Sequence, residues 1–331
     1  MKKIKIAQIG TSANSHGNQV WKRLCKQTER FEVVGYAFPE GEREKFPKQM
    51  ARFDGYREMT VEEILQDPEI EAVAVETEEI YLTKYALMVA KAGKHLHMEK
   101  PGGMSLSEFE ELIAVLKEKK LVFSTGYMYR FNPMILEAIE KIERGELGEI
   151  YSVEAYMTCK HPVAVREWLG NFKGGMTFFL GCHLIDLIYR IQGEPDEVIP
   201  LNCSTGFDGV SSEDCGMVVF KYKHGVSFLK ASASECGGFL RRQLVICGEK
   251  GTIEIRPLEV VVGDGVYTVL NESNSSDWHE PWQSRQSEVF DRYDAMLCNF
   301  AELICGKENS YSYEYELNLF KLILQACGQE I

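Results

Sequence analysis

The sequence predicts an α/β chain in two parts: a doubly wound parallel sheet with helices on both faces, then an α+β part on a large, mostly antiparallel sheet. Three observations carry this. Strand-like and helix-like segments alternate from Ile4 to about Asn132, which implies right-handed crossovers and parallel pairing. Beyond Gly148, strand-like segments follow one another with few helices between them, the pattern of an antiparallel sheet. The 331 residues, 45% of them apolar, make about two domains at ~150 residues each and bury a real core.

Ile4 to Gly10 reads as the first strand and His16 to Gln27 as the helix after it. Phe31 to Phe38 is a second strand, Glu42 to Met50 a helix, and Thr60 with Glu63 forms a capping-box signature. Ala72 to Val75 is an unbroken apolar run suited to a central parallel strand. Tyr81 to Ala92 is helical and stops at Gly93, the residue favoured just past a helix end. A short strand, His95 to Met98, runs into Glu99-Lys100-Pro101; Ser105 with Glu108 caps another helix, and Leu121 to Thr125 ends the sheet. Asn132-Pro133 opens a helix leading onward, since Asn caps well and Pro suits the first turn.

The expected domains are therefore 1–127 and 128–331. In the second, Glu149 to Cys159, Asp196 to Gly206, Asp214 to Lys221, Gly225 to Ser234, Leu240 to Cys247 and Thr252 to Thr268 read as strands. One helix, Leu180 to Gln192, interrupts them; Val289 to Ile304 and Tyr313 to Cys327 close the chain, and Asn271 to Asp277 reads as a polar surface loop.

Composition narrows the partners. With 37 basic and 50 acidic residues the net charge is -13, which disfavours nucleic acid or an anionic membrane and points to a small molecule. No stretch approaches the ~20 apolar residues of a membrane span, and Met1 to Ile6 alternates like a strand rather than a signal peptide. The expected location is the cytoplasm. Ten cysteines lie scattered from Cys25 to Cys327 without a C-x-x-C pair, so reduced, mostly buried thiols are expected. His95 and His97 share one strand face, but two ligands without a third argue against a metal.

Three clusters could carry chemistry. The first βα turn, Gly10 to Gly17, has the tight glycine of a dinucleotide turn at Gly10; Ser12 and Ser15 stand where the other two glycines would be. Its small residues Thr11, Ser12, Ala13 and Asn14 are placed to meet phosphate at a helix N-terminus. Lys100 lies at the carboxyl end of a parallel strand, where ligands bind in open α/β sheets; beside a cationic nicotinamide its pKa would fall toward proton transfer. His183 and Asp186, three apart on one helix face after Gly174-Gly175, pair a general acid/base with a carboxylate to orient it.

Together, Glu99-Lys100-Pro101, Tyr129 to Pro133, Gly145 to Gly148, Gly174-Gly175 with His183 to Asp186, and Gly248 to Gly251 resemble the Gfo/Idh/MocA oxidoreductases over nearly the whole chain. The resemblance implies an N-terminal Rossmann domain binding NAD or NADP and a C-terminal α/β domain with a large open sheet, used for substrate binding and for homo-oligomerisation as a dimer or tetramer. It implies hydride transfer between nicotinamide and a sugar, inositol or related polyol. Lys100 would contact the reacting oxygen and the nicotinamide, His183 would donate or accept the proton, and Asp186 would bind substrate or orient the histidine. Tyr127 would join the substrate site; Thr77, Glu99 and Trp168 would lie near the cofactor.

The departures are specific. Phe179 stands four residues before His183, where active members carry aspartate. Phe38 occupies the position of the acid that receives the adenosine ribose hydroxyls; Glu40 as substitute would favour NAD, Arg43 a 2′-phosphate. Thr77-Glu78-Glu79 replaces a Thr-Pro-Asn pattern. Two readings follow: an NAD(P)-dependent oxidoreductase, or a catalytically degenerate family member that binds a metabolite or partner protein.

Overall fold

Apolar strands flanked by capped helices assemble the first sheet. The computed structural model describes residues 2–331; Met1, part of the strand-like start, lies outside the described residues. The elements are β1 Ile4–Ile9, α1 Gly17–Lys26, β2 Phe31–Ala37, α2 Glu42–Lys45, α3 Pro47–Met50, α4 Val61–Gln66, β3 Ala72–Val75, α5 Leu82–Lys91, β4 His95–Met98, α6 Leu106–Lys119 and β5 Phe123–Thr125. All pairs are parallel in the order β2-β1-β3-β4-β5, and Tyr36 bridges Glu58 in parallel beyond β2. The order reverses beside β1, so the crevice at the carboxyl ends of β1 and β3 is a topological switch point. β3 is buried on both faces, as its apolar run predicts. Thr60 and Glu63 form the reciprocal capping box, and Ser105 accepts the Glu108 amide. The helix expected over 42–50 is two short ones broken at Phe46-Pro47, since proline opens a new helix rather than continuing one.

The remaining elements are α7 Pro133–Glu143, β6 Ile150–Thr158, α8 Val163–Trp168, α9 Cys182–Gln192, β7 Glu197–Cys203, β8 Cys215–Tyr222, β9 Gly225–Ser232, β10 Gln243–Gly248, β11 Thr252–Ile255, β12 Val260–Val262, β13 Gly265–Tyr267, β14 Val269–Ser273, β15 Gln283–Gln286, α10 Asp294–Ile304 and α11 Tyr313–Ala326. Eight strands form one sheet in the order β15-β14-β11-β10-β6-β9-β8-β7, antiparallel except for the β6–β9 pair.

Three expectations are corrected here. Thr252 to Thr268 is not one strand: Pro257 removes a ladder donor, and Gly263-Asp264 turns β12 back onto β13, pairing Val262 with Gly265. Asn271 to Ser273 belongs to β14, paired with β11, so the polar loop begins only at Asn274. The thiols are mostly not buried: Cys182 and Cys327 are, but Cys203, Cys236 and Cys305 are exposed and the rest half-buried, because several ride the outward side of strands. None is in a disulfide.

The chain divides into two compact units, one running to Tyr127 and including Tyr293–Phe320, the other Met128–Arg292 with Lys321–Ile331. Residues 293–320 group with the first unit because they cover the β5 edge. Asn309 donates to the Phe123 carbonyl, the Tyr313 hydroxyl to the Leu116 carbonyl, and the Thr125 hydroxyl to Glu316.

Asn132 caps α7 by accepting the Met134 amide at 3.0 Å, and its amide group donates to Thr268 at 2.8 Å. Asn132→Ala is expected to cost about 1–2 kcal/mol, read from equilibrium urea unfolding.

Candidate active site

In the first unit the chain leaves β1 through Gly10, at a φ of 88°, with its amide donating to the Ala37 carbonyl at 2.8 Å. A Cβ at Gly10 would lie 2.6 Å from the Thr77 backbone nitrogen, so only glycine lets the turn close against the end of β3. The serines at the other two glycine positions bond the turn to itself: Ser12 and Gly17 amides donate to Ser15 Oγ, and the Asn14 amide to Ser12 Oγ. Among the described residues nothing accepts the Ala13 or Ser15 amides. Two amides ahead of the ten-residue helix α1 fit the pyrophosphate of a dinucleotide, which the helix dipole favours.

Glu99 and Lys100 follow β4, and both are buried. Glu99 Oε1 accepts the Lys100 amide at 2.8 Å; Oε2 accepts the His16 amide at 3.0 Å and lies 3.1 Å from His16 Nδ1. Burial opposes the Glu99 charge, but His16 and Lys100 outweigh it and hold the carboxyl well below the usual range. Thr77 is buried, its hydroxyl donating to the Glu78 carbonyl at 3.3 Å, and Tyr127 donates to the Pro101 carbonyl at 3.4 Å.

Three buried carboxyls here, Glu76, Glu79 and Glu42, are not among the site residues expected from the sequence. Glu76, just after β3, is fully buried 3.7 Å from His97 Nε2; burial and then the Glu99 charge raise its pKa well above the ordinary value. Glu79 is also fully buried, and burial pushes it up to about 7. Glu42 accepts the Thr11 amide at 2.9 Å, and burial raises it to about 8. The one signal for Glu76 is an acid closing an otherwise apolar run; nothing local marks Glu42.

Phe38, expected at the adenosine edge, joins an aromatic cluster, with ring centroids 4.7 Å from Tyr36 and 4.8 Å from Phe53. Arg43 sits over the Phe38 ring and bonds Glu58, while Glu40 accepts from Lys84 and from the Tyr85 hydroxyl at 2.7 Å. Both substitutes are thus engaged within the protein. A cleft of about 470 Å³ opens among Phe38, Glu40, Met59, Tyr85 and Met88.

In the second unit, α9 carries His183 and Asp186, both buried. A π-turn over Thr177–Gly181 leads into the helix and seats Phe179. The Tyr129 ring stands edge-on to His183, centroids 5.2 Å apart at 89°, and its hydroxyl donates to Glu259 at 2.8 Å. Asp186 accepts from Arg130 Nε at 3.1 and 3.0 Å and from Nη2 at 2.8 Å. Its carboxylate therefore anchors the Tyr129-Arg130 turn as well as standing one helical turn from the histidine. Trp168 packs edge-on against Phe179 at 5.0 Å and Phe172 at 4.8 Å. Gly175, at a φ of 42°, brings this loop onto the Glu213 backbone, where a Cβ would collide. Among the described residues no three His, Cys, Asp or Glu side chains could hold a metal ion, and no helix is long and apolar enough to cross a membrane.

Residues 4–127 match the family described as oxidoreductase family, NAD-binding Rossmann fold, and residues 135–254 match the Gfo/Idh/MocA C-terminal domain. The uncharacterized oxidoreductase YhhX of Escherichia coli is 36% identical over 138 residues, 42% of this chain and 40% of that protein. Myo-inositol 2-dehydrogenase of Thermotoga maritima is 26% identical over 210 residues, 61% of this chain and 62% of that one. The matches span between 40% and 62% of these curated relatives' length. The crystal structure of an aldose-aldose oxidoreductase from Caulobacter crescentus superposes with a TM-score of 0.79 at 19% identity, covering 99% of this chain and 98% of that one, which shows a shared fold.

Two outcomes test the electrostatics. Arg130→Ala strands a buried carboxylate and is expected to cost about 3–5 kcal/mol in chemical denaturation, most of it recovered by adding Asp186→Asn. Glu79 binds its proton more tightly folded than unfolded, so its burial destabilises the fold progressively as pH rises from the ordinary carboxyl value toward about 7. Glu79→Gln should therefore gain on the order of 2 kcal/mol relative to the parent between pH 5 and pH 8, measured as denaturation midpoints.

Proposed function

Because the chain belongs to the Gfo/Idh/MocA oxidoreductase family, we propose that it moves hydride between NAD or NADP and a hydroxyl- or carbonyl-bearing carbon of a sugar, cyclic polyol or sugar derivative. The observation that carries the proposal is the switch-point crevice of the first unit. There Gly10 to His16 and Lys100 stand at the carboxyl ends of β1 and β4, with β3 between them, tied through Glu99. The dehydrogenase relative acting on myo-inositol supports the substrate class.

Gly10, Thr11, Ser12, Ala13 and Asn14 would hold the pyrophosphate, with Thr77 and Glu99 beside it and Phe38 at the adenosine edge. Bound nicotinamide would supply or accept the hydride. The His183 imidazole takes the hydroxyl proton as the alcohol loses hydride, and returns it in reduction. Lys100 holds the reacting oxygen by its ammonium group, and Asp186 orients the helix face that presents His183. Tyr127 and Asp186 complete the substrate contacts, and Trp168 closes the aromatic side. The finding that favours the non-catalytic alternative is Phe179, which cannot carry a proton. The outward residues Ile199, Leu201 and Met217 of β7 and β8 are exposed, and a second copy of the chain is the natural cover for them.

Titration with NADH and NADPH, followed by nicotinamide fluorescence, separates the two readings: saturable binding of either is expected, and binding of neither overturns the oxidoreductase. Lys100→Ala and His183→Ala should each lower turnover by at least ~10²-fold with the fold intact by circular dichroism; near-parental rates in both would reject these roles.

A further inference from the structure

β7 and β8 are joined by the loop 204–214, and the residues at its two ends are both cysteines. Cys203 ends β7 and Cys215 opens β8, directly opposite each other in the antiparallel register. The Ser232 carbonyl accepts the Cys159 amide at 2.9 Å, and the Ala233 amide donates to the Asp214 carbonyl at 2.8 Å. Asp214 therefore faces β9, and Cys215, one residue on, turns its amide and carbonyl toward β7. Such a hydrogen-bonded pair has Cα atoms about 5.5 Å apart, inside the range over which a disulfide closes. Neither thiol is in a disulfide; Cys203 is exposed and Cys215 half-buried. Burial, and then the Cys203 thiol, raise the Cys215 pKa, while Lys230 and the Ser232 hydroxyl oppose them. Cys182 and Cys327 also lie close enough to interact, but both are buried, so of the two pairs only the first meets a dissolved oxidant.

The loop between them holds the elements that precede α9. Arg166 of α8 donates to the Phe207 carbonyl at 3.2 Å, to Asp214 at 3.3 Å and to Asp208. Glu213 accepts the Gly174 amide at 2.6 Å through its carboxylate and the Met176 amide at 2.9 Å through its carbonyl. α8 carries Trp168, and Met176 leads into the π-turn and α9. We propose that Cys203 and Cys215 are a redox-responsive pair that a low-molecular-weight disulfide converts to an intrachain disulfide, fastening the base of loop 204–214 and, through it, α8 and the turn before α9. Cys203, the more exposed, attacks the small disulfide as its thiolate; that S–S bond breaks, a mixed disulfide forms and one small thiolate leaves. The Cys215 thiolate then attacks Cys203 Sγ and displaces the second. The two cysteine protons end on two small thiols, so the protein is oxidised by two electrons and the small disulfide reduced by two. An exposed disulfide is readily reduced again, which makes the change reversible. The pair lies outside the residues assigned above to cofactor and substrate, so the proposal is independent of the reaction the chain carries.

The test incubates the reduced full chain, without air, in glutathione buffers of rising oxidised-to-reduced ratio. Remaining thiols are then blocked with N-ethylmaleimide and the peptides mapped by mass spectrometry. A Cys203–Cys215 cross-link, lighter by two hydrogens than the reduced pair, should appear at a lower ratio than modification of Cys236 or Cys305, and dithiothreitol should remove it. Urea unfolding of the oxidised chain should shift to a higher midpoint, because the closed loop restricts the unfolded chain. Cys203→Ser and Cys215→Ser should each abolish both the cross-link and the shift, whereas Cys305→Ser should keep both. Cys203 that stays free, or carries only glutathione, at ratios that modify Cys236 or Cys305 overturns the proposal. So does a Cys203–Cys215 link that joins two chains, seen as a doubled mass on a non-reducing gel. A cross-link that forms within one chain but leaves the midpoint unmoved overturns the fastening of the loop.

Discussion

One buried carboxylate organises the first unit. Glu99 takes the amide of the residue it precedes through one oxygen, and the amide and ring nitrogen of His16 through the other. A charge placed among apolar strands persists only when such partners replace its hydration. The consequence is geometric: the entry to α1, the end of β4 and Lys100 are held in one arrangement. Glu76, packed beside Glu99 and raised well above the ordinary carboxyl range, completes the logic, since two adjacent buried carboxyls cannot both ionise.

The second unit reaches order by other means. Its charged pair, Arg130 with Asp186, is bidentate and buried, a geometry that gives orientation more than net stability. Around His183 the surroundings are aromatic: Tyr129 edge-on to its ring, and Phe179 one turn earlier on the same helical run. Phe179 presents a phenyl ring there, and the imidazole of His161 lies against that ring. A low-dielectric wall of this kind strengthens each hydrogen bond that remains.

The changes on the dinucleotide side follow one pattern. Ser12 and Ser15 replace glycines yet bond the turn internally. Phe38 leaves the ribose edge for the cluster of Tyr36 and Phe53, and Glu40, Arg43 and Glu78 are each neutralised by Lys84, Glu58 and Lys45. The two acids after Thr77 are thus divided: Glu78 is paired with a lysine, and Glu79 is buried with its proton held more tightly. Repulsion depends on net charge at the ligand rather than on the number of carboxyls nearby.

Much of the fold is legible without coordinates. The apolar run of β3, the Thr60–Glu63 box, the caps at Ser105 and Asn132 and the glycine at the first turn are local signals, set by hydrogen bonds within a few residues of each other. So are the positions of Lys100 and His183, because strand ends and helix faces follow from periodicity. Glu42 and Glu76 are not legible as residues of this region. What marks them is burial, with partners distant in sequence: the Thr11 amide 31 residues from Glu42, and His97 beside Glu76. The strand breaks at Pro257 and Gly263-Asp264 are local and readable in principle, but the enrolment of Asn271 to Ser273 into β14 requires a neighbour, β11, to supply the pairing. Sequence thus determined the elements and the chemistry carried at their ends. Tertiary structure alone decided which side chains lose water, and loss of water is what sets their protonation.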